Sequence, residues 1–315
     1  MKGCVRHQRG LTMAELLVAM TLGLAVLLGA GSLLIGSSRV YAAQTEAEAM
    51  DEAGRYALEA VARAVRQAAH VDWSAASPPA PEAPARIAGL DARTVSRNGA
   101  GIGTGLLEAV NGSDVLALRF PGSGAPPDGD GGTVDCAGFP VHADEEGWSI
   151  FHVARNAQGE SELRCKYRGK SNWSADAVAG RVDGFQVLYG LDSDGDGAPN
   201  RYVPASTLAA LDAGLALNGA SEAEREKDLH RRTHWKKVAS VQVALLLHGP
   251  LLDREAGAHA VYSLFGPDHA EAHAGDDPGT RLTEAELARP GVGRTTAARM
   301  RKVYTTTIAL PAAAP

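Results

Sequence analysis

The chain has 315 residues, 45% of them hydrophobic, 22% charged and 5% aromatic, with a formal net charge of −6. That acidic balance argues against general nucleic-acid binding, which wants a basic face. The length beyond the first long apolar segment suffices for one large domain, or for one domain with long insertions.

Residues 1–10 form a short leader carrying Lys2, Arg6 and Arg9 and ending in Gly10. Positive residues stay on the cytoplasmic side, so the segment that follows enters a membrane with its C-terminus outside. From Leu11 to Gly36 only Thr12, Glu15, Thr21 and Ser32 are polar. At 1.5 Å per residue this run covers roughly 39 Å, enough to cross a bilayer core. An ordinary secretory signal would place a small-x-small cleavage site after its apolar part. Here a glycine stands before it, and a plain uncleaved anchor is the simpler alternative. Glu15 is expensive inside such a segment and calls for a partner.

The helical pattern continues beyond the apolar run. Ser37 to His70 contains no proline and one glycine, Gly54. Ala49, Ala53, Tyr56, Ala57, Ala60, Val61, Ala64, Val65 and Ala68 recur at steps of three and four, the helical period. One nearly continuous helix is therefore expected from Thr12 to Ala69, its second half packed on a globular domain. Ser77-Pro78-Pro79-Ala80-Pro81 ends it, because proline stops helices and stiffens linkers.

Strands are expected over 115–120, 148–154, 162–167, 182–189, 238–248 and 302–310. Val241, Val243, Leu245 and Leu247 alternate with their neighbours, the mark of a half-buried strand. Residues 121–132 read as a Gly/Pro/Asp loop and 208–232 as helical, with Ser221 a candidate cap. Residues 256–280 show no period and read as an exposed excursion. The fold class expected is α+β: a long N-terminal helix, membrane-spanning in its first half, on an antiparallel β-sheet domain.

The basic leader, Gly10, Leu11, Glu15 and the long apolar helix together resemble the class III signal of type IV pilins and pseudopilins. In that superfamily a prepilin peptidase cuts after the glycine and N-methylates the new terminus, here Leu11 in place of the usual phenylalanine. Three further stretches resemble the PilW family of minor pilins. One is Glu52-Ala53-Gly54-Arg55-Tyr56-Ala57-Leu58 with Ala62-Arg63-Ala64-Val65-Arg66. Another is Tyr189-Gly190-Leu191-Asp192-Ser193-Asp194-Gly195-Asp196-Gly197 with Arg201-Tyr202-Val203. The third is Trp235 to Leu246, and Val303 to Leu310 is similar to the family's last strand.

The resemblance implies a division into leader 1–10, transmembrane or filament-core helix 11–36, periplasmic helix 37–70 and periplasmic domain 71–315. Loss of Lys2, Arg6 and Arg9 leaves 28 basic against 37 acidic residues, a balance of −9. Glu15 becomes the carboxylate that pairs with the N-terminal amine of a neighbouring subunit. The implied role is a minor pilin that helps to start or cap a type IV pilus. The implied location is the inner membrane, then the pilus. Implied partners are the prepilin peptidase, the inner membrane, other minor pilins, the major pilin, the inner-membrane assembly platform and a tip adhesin; nucleic acid is not expected. A J-type pseudopilin of type II secretion and a membrane-anchored binding domain are the alternatives.

Other candidate sites are few. Cys4 would leave with the leader, and Cys136 and Cys165 remain as an even pair outside the cytoplasm, where a disulfide is expected. Asp192, Asp194 and Asp196 stand at positions 1, 3 and 5 of a calcium-type loop, with Gly197 at 6 and Asn200 at 9. Val203 stands where the loop would need a bidentate glutamate. A structural calcium and a metal-free Asp/Gly turn are both open readings, and no cofactor is required. His230/His234 and His269/His273 are spaced four apart but lack the glutamate of a metalloprotease helix, so they read as surface histidines. Gly99 to Gly105 lacks dinucleotide or P-loop spacing, and no nucleophile or acid–base constellation suggests an enzyme.

Overall fold

A computed structural model of the protein describes residues 12–69, 80–103, 109–127, 129–251, 260–273, 275–287 and 299–310; Gly10 and Leu11 lie outside them. The chain divides into two compact units, Met1–Ala49 and Met50–Pro315.

Helix α1 runs unbroken over Met13–Ala69, 57 residues. Within the second unit it buries Met50, Gly54, Ala57, Val61, Ala64, Val65 and Ala68. These recur at three and four, so they form one stripe, and most are small enough to let strands approach the helix backbone. The expected stripe is corrected at two places: Ala49 and Tyr56 are exposed, and Met50 and Gly54 hold the buried positions. Gly54 is needed there, because an added Cβ would stand 2.8 Å from the Tyr304 ring.

Among the described residues the domain has two main antiparallel sheets. Strands β1 (Ile87–Leu90), β2 (Val115–Pro121), β3 (Glu146–Arg155), β4 (Ser161–Arg168) and β5 (Trp173–Gly180) form a meander in chain order. Strands β6 (Val182–Leu191) and β7 (Arg201–Val203) follow, then helices α2 (Ala205–Ala213) and α3 (Glu222–Arg232) and strand β8 (Val238–Leu251). Next come β9 (Val261–Ser263), α4 (Pro267–His273), β10 (Arg281–Thr283), α5 (Glu284–Leu287) and β11 (Arg299–Ala309). The second sheet has the order β11-β8-β6-β7, and β9 pairs with β10. One core joins Val61 and Val65 of α1 to Leu118, Phe151 and Leu163 of the first sheet and to Phe185, Val243, Leu245 and Ile308 of the second.

Three expectations change. The helical stretch over 208–232 is two helices separated at 214–221. Ser221 starts the second: its hydroxyl accepts from Glu224 N at 3.2 Å while Glu224 Oε2 accepts from Ser221 N at 3.1 Å. Strand β8 is not half-buried. Val241, Val243 and Leu245 enter the main core, while Ala244 and Leu246 on the other face meet Leu264 and Leu282. The described part of the supposed excursion, from 260 onward, therefore serves as a cover for that sheet face.

Candidate functional site

The first turn of α1 closes on itself. Thr12 N and Oγ1 donate to Glu15 Oε2 at 2.9 and 3.0 Å, and Glu15 N donates to Thr12 Oγ1 at 3.3 Å. This reciprocal Thr-x-x-Glu box satisfies amide groups that a helix start leaves open. The positive pole of the helix also favours a carboxylate at this place.

From that turn to Gly36 the helix is apolar but for the hydroxyls of Thr21 and Ser32. Leu17 is 62% exposed, Val26 70% and Leu33 76%. Such a surface needs lipid or other helices to cover it. The hydroxyls need no water: Thr21 donates to the Val18 carbonyl at 2.9 Å, Ser32 to Gly29 at 2.8 Å and Ser37 to Leu34 at 3.0 Å. In a bilayer each backbone and hydroxyl group must be satisfied within the protein, and here each of these hydroxyls is. A Cβ added at Gly23, Gly29, Gly31 or Gly36 would meet nothing within 4 Å, so those faces are open to close approach.

In the domain, Cys136 and Cys165 are joined in a disulfide with a Cα–Cα distance of 5.9 Å. It pins the long connection between β2 and β3 to the middle of β4. Asp135 shapes the turn beside it, accepting from Ala137 N at 2.9 Å and Phe139 N at 3.0 Å. Burial raises the Asp135 carboxyl above its ordinary range, and these amide bonds oppose the rise.

The aspartate loop joins β6 to β7. Asp192, Asp194 and Asp196 each offer an oxygen, all within 4.8 Å of one another. The loop also closes through its own groups. Asp192 accepts from Gly195 N at 2.6 Å and Gly197 N at 2.9 Å, and the Gly195 bond first holds its carboxyl below the usual range. Asn200 Oδ1 accepts from Ser193 N and Oγ, and its amide donates to Asp194 Oδ2 at 3.0 Å. The Val203 side chain lies in the core and offers no ligand atom. Three carboxylates thus fit about half of the six to eight oxygens that calcium takes.

The histidine pairs differ from each other. His234 lies past the end of α3, so it shares no helix with His230, and its Nδ1 lies 2.8 Å from Asp212 Oδ1. His269 and His273 are both on α4, with ring centroids 4.6 Å apart. His269 is not a surface histidine: its side chain is only 17% exposed.

A ladder across the first sheet was not foreseen. Arg119 stands 5.1 Å over Trp148, Trp148 meets Trp173 edge-on at 5.6 Å, and Lys166 stands 5.0 Å from Trp173. Trp148 and Arg119 also line a cleft of about 300 Å3 with Arg86, His230 and Trp235. The four ladder residues lie on four different strands, so only the strand register, such as Arg119 opposite Trp148, reveals them. Arg119 donates to the Ala85 carbonyl and Lys166 to Gly101, so both cations serve the chain's own backbone.

Two family comparisons match this chain. The family described as Type IV Pilus-assembly protein W matches residues 150–312, more than half of the chain. The prokaryotic N-terminal methylation motif matches residues 5–31. No curated protein and no solved structure matches it.

Proposed function

The chain belongs to the PilW family of type IV pilus-assembly proteins and carries a prepilin methylation motif, and on that footing we propose that it is a minor pilin that helps to start or cap the filament. The observation that carries this reading is α1. A helix that is apolar from Met13 to Gly36 but for Glu15 in its first turn and two hydroxyls continues without a break to Ala69, and its half from Met50 onward packs in the folded domain. The motif and the helix anchor the protein in a membrane. We place the domain in the periplasm, cleavage after Gly10, and methylation at Leu11.

The chemistry of assembly follows from the position of Glu15. Cleavage would leave an amine at Leu11, next to the Thr12–Glu15 box. In lipid a carboxylate is costly; beside the amine of a neighbouring subunit it gains a charge-assisted bond in a dry setting. That pair would set the axial register of one helix against the next. The open glycine faces would let helices pack closely. A domain of this bulk suits a rare terminal position better than every repeat of a fibre. For the aspartate loop, calcium would be held by Asp192, Asp194 and Asp196 and would stiffen the turn between β6 and β7. A melting temperature unmoved by calcium would leave the loop as a self-closed turn.

The experiment is to delete the gene and count surface pili and secreted proteins in the same strain. Lost pili with intact secretion, restored by the wild-type chain but not by Gly10→Ala, is the expected result. Intact pili with lost secretion would assign the chain to a secretion pseudopilus instead.

A further inference from the structure

We propose that His269, His273 and Asp277 form a binding site for a zinc-class divalent cation, clipping α4 to the turn that follows it. The starting point is a set of orphaned polar atoms. Both carboxylate oxygens of Asp277 and the Nε2 of His269 are buried, and among the described residues none of them has a hydrogen-bond partner. Asp277 itself is only 2% exposed. A buried carboxylate without a partner is costly enough that native proteins rarely keep one.

The geometry says which cation. His269 Nε2 and Asp277 Oδ2 are 3.7 Å apart. That is too long for a hydrogen bond. It is within a few tenths of the roughly 3.4 Å edge of a tetrahedron whose ligands stand about 2.1 Å from zinc. His273 follows His269 by one helical turn, with ring centroids 4.6 Å apart; it lies on the exposed side, and a change of rotamer would bring one of its nitrogens to the other two ligands. Phe265 meets the His269 ring edge-on at 5.4 Å and fixes it from the other side. Two imidazoles and one carboxylate suit zinc and its transition-metal neighbours better than calcium or magnesium. Water would fill the fourth position.

The fold gives such a clip something to do. Helix α4 has seven residues, too few to hold together alone. Its C-terminal turn is tied by Asp277 N donating to the His273 carbonyl at 2.9 Å and by Thr280 Oγ1 donating to the Asp277 carbonyl at 2.7 Å. The same turn seats on the second sheet, where Gln186 Nε2 donates to the Pro278 carbonyl at 3.3 Å. A metal on the three side chains would lock the cover of β8 in place.

The test uses the full chain, solubilised in detergent, stripped with chelator and carrying no histidine tag. Cobalt(II) is titrated in, tetrahedral d–d absorption is followed, and zinc is added to displace it. The expected result is saturation near one equivalent. His269→Gln and Asp277→Asn should each weaken it by about 10–100-fold or more, at least the loss known for outer-shell partners. His273→Gln, on the exposed face, cannot unfold the domain and should weaken binding likewise, which settles the matter if either buried variant misfolds. Asp194→Ala should leave the band unchanged. No tetrahedral band, a band that survives His273→Gln at full affinity, or a band lost in Asp194→Ala would each overturn the site.

Discussion

At the scale of single residues, Glu15 has two roles that can be separated. Its carboxylate completes the capping box with Thr12, a role that glutamine also fills. Only the charged form can pair with an amine. Glu15→Gln should therefore keep the helix start and lose pili, with helix content unchanged by circular dichroism; normal piliation in that variant would remove Glu15 from the assembly scheme. Gly54 presents the opposite balance. Alanine gains about 1 kcal/mol of helix propensity. Forcing a methyl against the Tyr304 ring costs about 1–3 kcal/mol. The net expectation is a lower denaturant midpoint, and a raised midpoint would show that the ring gives way. His152 sets a pH limit. Burial, then Lys166 and Arg164, lower its pKa from 6.5 to about 4. The folded chain thus keeps it neutral while the unfolded chain takes up the proton first. Its contribution is complete above about pH 6.5 and falls away toward pH 4, by about 3 kcal/mol over that window. His152→Gln should flatten the stability profile there, and an unchanged acid limb would rule the residue out.

Among the elements, those with a repeating pattern were legible and those defined by their neighbours were not. The 57-residue helix showed in the steps of three and four, and six strands, the edge strand β11 among them, showed in their apolar runs. Strands β1 and β5 escaped because β1 has only four residues and β5 is built mostly of small residues with no apolar run. Strand β7 is three residues long. The alternation in β8 was visible, but that both faces are buried depends on Leu264 and Leu282, some twenty to forty residues further on. The disulfide was legible from the cysteine count together with the compartment that the leader led us to expect. Replacing both cysteines with serine should cost about 3 kcal/mol in the chain-entropy picture. Equal melting temperatures with and without reductant would show that the β2–β3 connection holds by its own hydrogen bonds.

For the whole molecule, the order of events during synthesis follows from one pairing. Asp51, near the start of the domain, accepts from Lys302 Nζ at 2.7 Å and from the Tyr304 hydroxyl. Strand β11 also completes the second sheet beside β8. The residues that fasten α1 are thus made about 250 residues after the helix they hold. Until they arrive, the membrane helix is already inserted while its buried stripe waits without its Tyr304 cover. A stop codon at Arg299 should leave an inserted but unfinished protein, visible as rapid proteolytic turnover with no stable fragment containing Met50 to Ala69. A long-lived truncated domain would show that β11 is dispensable. With β11 required, quality control at the membrane, rather than assembly, is the first process to notice damage in that strand.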